Sequence, residues 1–167
     1  MTIRYVRPDE YPELLELQKL AYITEAELYG DYTIPPLTQT LDDLTAECAQ
    51  KTVIAVIEDG RLVGSVRACL DDNKACLVGR LMTHPDYRRR GIGRELMVRI
   101  ESEFPGAVRF ELFTGEKSAG NIRLYEQLGY VIFKKLRLND KIDLVFMEKY
   151  PPPDTAPDSS ESAGEIE

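Results

Sequence analysis

At 167 residues, 43% of them hydrophobic, the chain is long enough for one domain with a sizeable core, and it has no run of eighteen apolar residues to cross a membrane. A net charge of −8, a single histidine and three scattered cysteines exclude a broad basic face for nucleic acid, a metal site and a disulfide framework, and point to a reducing cytoplasm. Residues 1–5 lack the apolar core and small-residue cleavage site of a signal peptide.

The charge is unevenly placed. After Tyr150 comes Pro151-Pro152-Pro153, then Asp154, Asp158, Glu161, Glu165 and Glu167 with no lysine or arginine. Those five acids account for five of the eight net negative charges and leave −3 on residues 1–150. So little apolar area cannot offset the entropy of ordering, so residues 151–167 are expected to be a disordered acidic tail behind a domain at 1–150.

In chain order, Thr2–Val6 reads as a short strand stopped by Arg7-Pro8. Asp9–Glu27 places Tyr11, Leu14, Leu15, Leu17, Leu20 and Ala21 on a broad apolar helix face. A loop at 29–36 leads to a second helix at Thr38–Gln50. Thr52–Ile57 is β-branched and continuous, a strand turned back at Asp59-Gly60 into another strand ending near Leu70. The turn Asp71–Lys74 sets Leu70 opposite Ala75, and so Cys69 opposite Cys76, near enough for adjacent reduced thiols. Ala75–Thr83 is a buried central strand, and Ile92, Leu96, Ile100 and Phe104 recur at helical spacing until Pro105-Gly106. A strand at Val108–Thr114, a helix at Ser118–Leu128 and two strands at Tyr130–Leu138 and Ile142–Lys149 complete the order β-α-α-β-β-β-α-β-α-β-β. That order is mixed α/β with a mostly antiparallel sheet.

The chemistry concentrates where the central strand meets its helix. Arg88, Arg89, Arg90, Gly91, Ile92, Gly93 and Arg94 put a glycine-rich turn and four arginines at a helix start. The first helical N–H groups have no internal partner, the macrodipole adds positive charge, and glycine lets a phosphate approach the backbone. A Walker loop would need Lys-Ser/Thr after the second glycine, and a dinucleotide fingerprint a third glycine at Leu96; neither is present. What fits is Arg88-x-x-Gly91-x-Gly93, which resembles the acyl-CoA signature of the GNAT N-acetyltransferase superfamily. Farther on, Asn121-x-x-x-Tyr125-x-x-x-Gly129-Tyr130 resembles that superfamily's second block. An isolated Asn-x-x-x-Tyr would read first as a helix face with a half-buried core aromatic beside Leu128; the position of this helix, after the strand that must flank the central one, favours the resemblance. The element order is also that of the GNAT fold across residues 1–150.

The resemblance implies acetyl-CoA as cosubstrate, no metal, and transfer of its acetyl group to a primary amine by direct attack in a ternary complex. Arg88–Arg94, Ile92 among them, would hold the pyrophosphate. Leu81 and Thr83 would pair with the pantetheine arm, an N–H near Met82 would stabilise the oxyanion, and Asn121 would contact the cofactor. Tyr125 would protonate the departing sulfur. An alkyl amine of pKa about 10.4 is only about 0.04% neutral at pH 7, so something must take its proton. The central strand carries no carboxylate. Glu111 on the next strand is the placeable base, set against a surface-facing Glu or a water relay, with His84 behind it. Arg80, costly to bury unpaired, is expected to line the cleft or face solvent. Glu25, Glu27, Tyr29, Asp31 and Tyr32 suit a cationic acceptor, and equally a solvated helix end; the late hairpin at Asn139-Asp140 is the other candidate for acceptor choice. Partners are then a small-molecule amine or a protein or peptide amine, with no nucleic acid and no membrane, and a homodimer compatible with the fold. The other function class left open is a non-catalytic acyl-CoA-binding regulatory module.

Overall fold

The computed structural model describes residues 1–153; the expected tail lies outside the described residues from 154 on. Strand β1 (Thr2–Tyr5) ends before Pro8, which opens a 3-10 turn (Pro8–Glu10) into helix α1 (Tyr11–Tyr29). Gly30 terminates α1 in the left-handed conformation at φ 63°. The single helix expected over Thr38–Gln50 is split. Pro35 starts a one-turn helix α2 (Pro35–Thr38), Gln39 and Thr40 are extended, and the Asp43 N–H donates to Thr40 Oγ1 at 3.1 Å to begin α3 (Leu41–Ala49).

Strands β2 (Thr52–Glu58) and β3 (Arg61–Leu70) form the expected hairpin, with Asp59 and Gly60 both at positive φ (52° and 75°). The next hairpin, into β4 (Ala75–Thr83), differs from expectation. The Asp71 N–H donates to Ala75 O at 2.9 Å, Asp71 Oδ1 accepts the Asn73 and Ala75 N–H groups, and Lys74 sits at φ 64°. The loop is thus three residues with a left-handed third, not four. Leu70 faces Cys76 and Cys69 faces Leu77, so the two cysteines lie on opposite faces of the sheet. Burial pushes the Cys76 thiol up to about 12, which leaves it inert.

Helix α4 (Ile92–Ser102), β5 (Arg109–Gly115), α5 (Ala119–Gln127), β6 (Val131–Arg137) and β7 (Asp143–Lys149) follow, close to expectation. The seven strands lie in the order β1-β2-β3-β4-β5-β7-β6, and all neighbours are antiparallel except β4 and β5. On one face, Ile92, Leu96, Met97 and Ile100 of α4 and Tyr125 of α5 meet Ile54, Val66, Val78 and Phe110. Burial of each such aliphatic side chain stabilises by about 1.5–3 kcal/mol. Gly64 on β3 lets α4 come close, since a Cβ there would stand 2.7 Å from Ile92 Cγ2. On the other face, α1 and α3 cover Val53, Ala55, Leu62 and Met82.

That second face also buries a charge. Arg67 is 1% exposed; it pairs with Glu47 and donates to Gln18 Oε1 at 3.0 Å and Gln39 Oε1 at 3.3 Å. The network fastens α1, α3 and the link between α2 and α3 to β3. Burial raises the Glu47 carboxyl, but the Arg67 guanidinium outweighs it and the net displacement is downward.

Candidate functional site

Two irregularities in β4 create the site. Ser65 pairs with Met82 but Arg67 with Gly79, so β4 carries one extra residue, and Arg80 takes φ 51°. Registered pairing of β4 with β5 runs only from Ala75–Arg109 to Leu77–Glu111, while β5 stays paired with β7 through Gly115. The strands part beyond that point. The resulting cleft, of about 500 Å³, is lined by Leu81, Met82 and Thr83, by Tyr22 and Glu25 of α1, and by residues 117–121 at the start of α5.

The backbone of β4 beyond the bulge presents polar groups to this gap. The His84 N–H donates to Val63 O at 2.8 Å, which makes that a hydrogen-bonded pair. By alternation the Leu81 and Thr83 amides turn away from β3 toward the gap, as a pantetheine arm would require. The Met82 amide turns toward β3 and does not face the gap. The Tyr22 hydroxyl donates to Leu81 O at 3.2 Å and closes one side.

At the mouth stands the N-terminus of α4. Its first bond runs from Glu95 N–H to Gly91 O at 3.0 Å, leaving the amides of Ile92, Gly93 and Arg94 without a helical acceptor. Gly91 caps the helix at φ 78°, and a Cβ there would meet nothing within 4 Å: the backbone needs glycine and the space is open. At Gly93 a Cβ would lie 3.2 Å from Leu124 Cδ2, so glycine also sets how closely α4 meets α5. The arginines differ in what they touch. Arg88 donates to Thr24 Oγ1 (2.9 Å) and Ala21 O (3.0 Å), joining this loop to α1. Arg90 stacks 4.8 Å over the Tyr87 ring, Arg94 donates to Gln127 Oε1 at 3.3 Å, and exposed Arg89 sits at φ 64°.

Asn121 and Gly93 reach the cleft wall. Tyr125 is buried behind it, edge-on to Tyr130 with ring centroids 6.0 Å apart. Burial holds its phenol far above the ordinary range, with smaller upward contributions from Tyr22 and Glu25, both on the cleft wall. Glu111 is elsewhere: it sits in the registered part of β5 and accepts from Arg109 Nη1 at 2.7 Å. His84 caps the short turn Pro85–Tyr87, its Nδ1 accepting the Asp86 N–H at 3.1 Å, and does not line the cleft. Arg80 neither lines the cleft nor faces solvent freely; it is half-buried at the bulge, where desolvation lowers its pKa. Of the acidic set proposed for acceptor binding, Glu25 alone lines the cleft, whereas Asp31 is held by Thr33.

A parted β4–β5 pair beside free amides at a helix start is the architecture of a site able to hold an anionic group at the edge of an open sheet. The chain belongs to the acetyltransferase (GNAT) family, a family of acyl-transferring enzymes, whose model matches residues 12–130. It is 29% identical over 140 residues to YqkA of Bacillus subtilis (strain 168), a match covering 83% of this chain but only 40% of that protein. It is 22% identical over 170 residues to the L-amino acid N-acyltransferase MnaT of Escherichia coli (strain K12), covering 95% of this chain and 99% of MnaT. Among solved structures it is similar in fold to YncA of Salmonella typhimurium with its cofactor acetyl-CoA, at a TM-score of 0.73, 20% identity, and coverage of 95% and 98% of the two chains.

Proposed function

We propose that the protein is an N-acetyltransferase that moves the acetyl group of acetyl-CoA to a primary amine by direct attack in a ternary complex. The observation that carries this reading is the gap between β4 and β5 with the unpaired amides of α4 at its mouth. The cradle fits a pyrophosphate: open space stands over Gly91, the amides of Ile92, Gly93 and Arg94 are free, and Arg88, Arg89, Arg90 and Arg94 are exposed. Leu81 and Thr83 would hold the pantetheine arm, and Asn121 would contact it from α5. When bound, acetyl-CoA supplies a thioester acyl group activated for attack. Of the Leu81 and Thr83 amides, the one not taken by the arm polarises the acyl carbonyl, and α1 excludes water from one side. Tyr125, kept protonated by burial, donates its hydroxyl proton toward the sulfur as negative charge develops there. The full-length similarity to an L-amino acid N-acyltransferase supports an amine acceptor.

Tyr125→Phe tests the assignment, because it keeps the ring that packs on Tyr130 and removes the proton. General acid catalysis is worth about 10²–10⁴-fold. The expected result is a fall in kcat of at least tenfold where chemistry limits turnover, with little change in KM for acetyl-CoA. Wild-type kcat in the Phe variant removes Tyr125 as the acid. Acetyl-CoA binding without free-thiol release across a broad amine screen would instead identify a binding module.

A further inference from the structure

We propose that Glu25 receives the acceptor's alkylammonium group and takes its proton, an inference that rests on the acetyl-transfer reading above. The cleft needs a proton acceptor, and its wall carries one carboxylate among the described residues, Glu25. Glu111 is committed to Arg109 outside the cleft.

Glu25 is held by a chain of hydrogen bonds that run in one direction. The Lys117 backbone N–H donates to the Tyr29 hydroxyl at 2.8 Å, Tyr29 and Ser118 hydroxyls meet at 3.1 Å, and Ser118 Oγ donates to Glu25 Oε2 at 2.6 Å. With its own proton on Glu25, Ser118 receives that of Tyr29. Ser118 occupies the N-cap of α5, where a serine ordinarily accepts a helix amide, yet it caps nothing. Its hydroxyl is given to the carboxylate instead. Gly115 makes the arrangement possible, since a Cβ there would lie 1.9 Å from the Tyr29 hydroxyl. Four positions in two distant segments, Tyr29 on α1 and Gly115, Lys117 and Ser118 before α5, thus serve to orient one carboxylate. Oε2 is occupied, while Oε1 has no hydrogen bond or ion pair among the described residues. The charged and titratable groups around it are Tyr22 and Tyr29 on α1, Arg88 before α4, Lys117 before α5 and Tyr125 on α5.

The ammonium gives one proton to Glu25 Oε1, and the freed lone pair forms the C–N bond to the acyl carbon. The C–S bond breaks with its electron pair on sulfur, which takes a proton through the Tyr125 hydroxyl. The second nitrogen proton lost from the attacking amine leaves to solvent, from which Tyr125 is reprotonated, and Glu25 releases its proton on product departure. The net change is ammonium and thioester to amide, thiol and one proton released to solvent.

The test uses the full chain, Glu25→Gln and Glu25→Asp, with L-methionine, spermidine and an alanine-leading hexapeptide as probes. Two readouts are taken: calorimetric amine affinity in the presence of CoA, and kcat/KM for the amine from pH 6 to 10. For whichever probe the wild type accepts, Glu25→Gln should weaken amine binding at least tenfold at pH 7 and lower kcat/KM at least a hundredfold. That deficit should narrow as pH rises through the pKa of the probe's own amine, about 10.4 for an alkyl amine and about 8 for a peptide α-amine, where free amine forms without a base. Glu25→Asp should recover binding and part of the rate. Wild-type affinity and rate in a folded Glu25→Gln, or a deficit constant with pH, overturns the role of Glu25 while leaving acetyl transfer intact. A wild type that binds and acetylates none of the probes overturns both readings.

Discussion

Arg4 and Glu10 meet through two parallel bonds, at 2.7 and 2.8 Å, that tie β1 to the turn before α1. The Arg4 hydrogen bonds hold the Glu10 carboxyl down to about 2, against burial, which raises it. A carboxyl depressed in the folded state stabilises the fold at pH above its unfolded value. Its contribution is lost as pH falls from about 4.5 to about 2. Urea denaturation of Glu10→Gln should therefore show a shallower loss of stability over that interval than the parent chain. Identical slopes would mean that the pair does not persist in solution. At this scale the sequence is partly legible. Gly91, Gly93 and Asn121 could be placed because their meaning is local, a turn and a helix face within a few positions. Glu25 was visible only as one acid among several, because what singles it out is Ser118, 93 positions away. Arg67 was unreadable as a buried ion for the same reason: its partners Gln18, Gln39 and Glu47 come from two helices and the extended link between α2 and α3.

Among the elements, the sequence pattern identified every strand and helices α1, α4 and α5, merged α2 with α3, and failed where one residue changes the register. The Asp71–Lys74 loop moved Cys69 and Cys76 to opposite faces through a single left-handed residue, Lys74. The bulge at Arg80 has no periodic signature, since an extra residue in an apolar run looks like more strand. It is nevertheless what turns the end of β4 out of register and gives the cleft its backbone wall. The start of α4 offers a direct test. Gly91→Val places a branched side chain in open space over the free amides and in a left-handed conformation. CoA affinity should fall at least tenfold, about 1.4 kcal/mol, by calorimetry on protein shown to be folded. Unchanged affinity would remove the α4 cradle from the site.

For the molecule as a whole, the sheet is continuous on paper and interrupted in practice. Every antiparallel neighbour is registered over four to seven pairs, whereas β4 and β5 share three. The Leu81 and Thr83 amides are therefore strand amides with no strand to receive them. In deuterated water they should exchange as fast as loop amides when the protein is alone, and slow by at least tenfold when CoA is added, while the amides of β2 and β3 keep their protection throughout. An equal response across all strands would show that the cosubstrate stiffens the domain globally. A response confined to Leu81 and Thr83 within the sheet, beside the cradle amides of Ile92, Gly93 and Arg94, would mean that the cosubstrate behaves as an eighth strand. Its concentration then bears on durability: at a hundredfold its Kd it would add about 2.7 kcal/mol to the folded state. A cell depleted of the thioester would hold not merely an idle enzyme but a more perishable one.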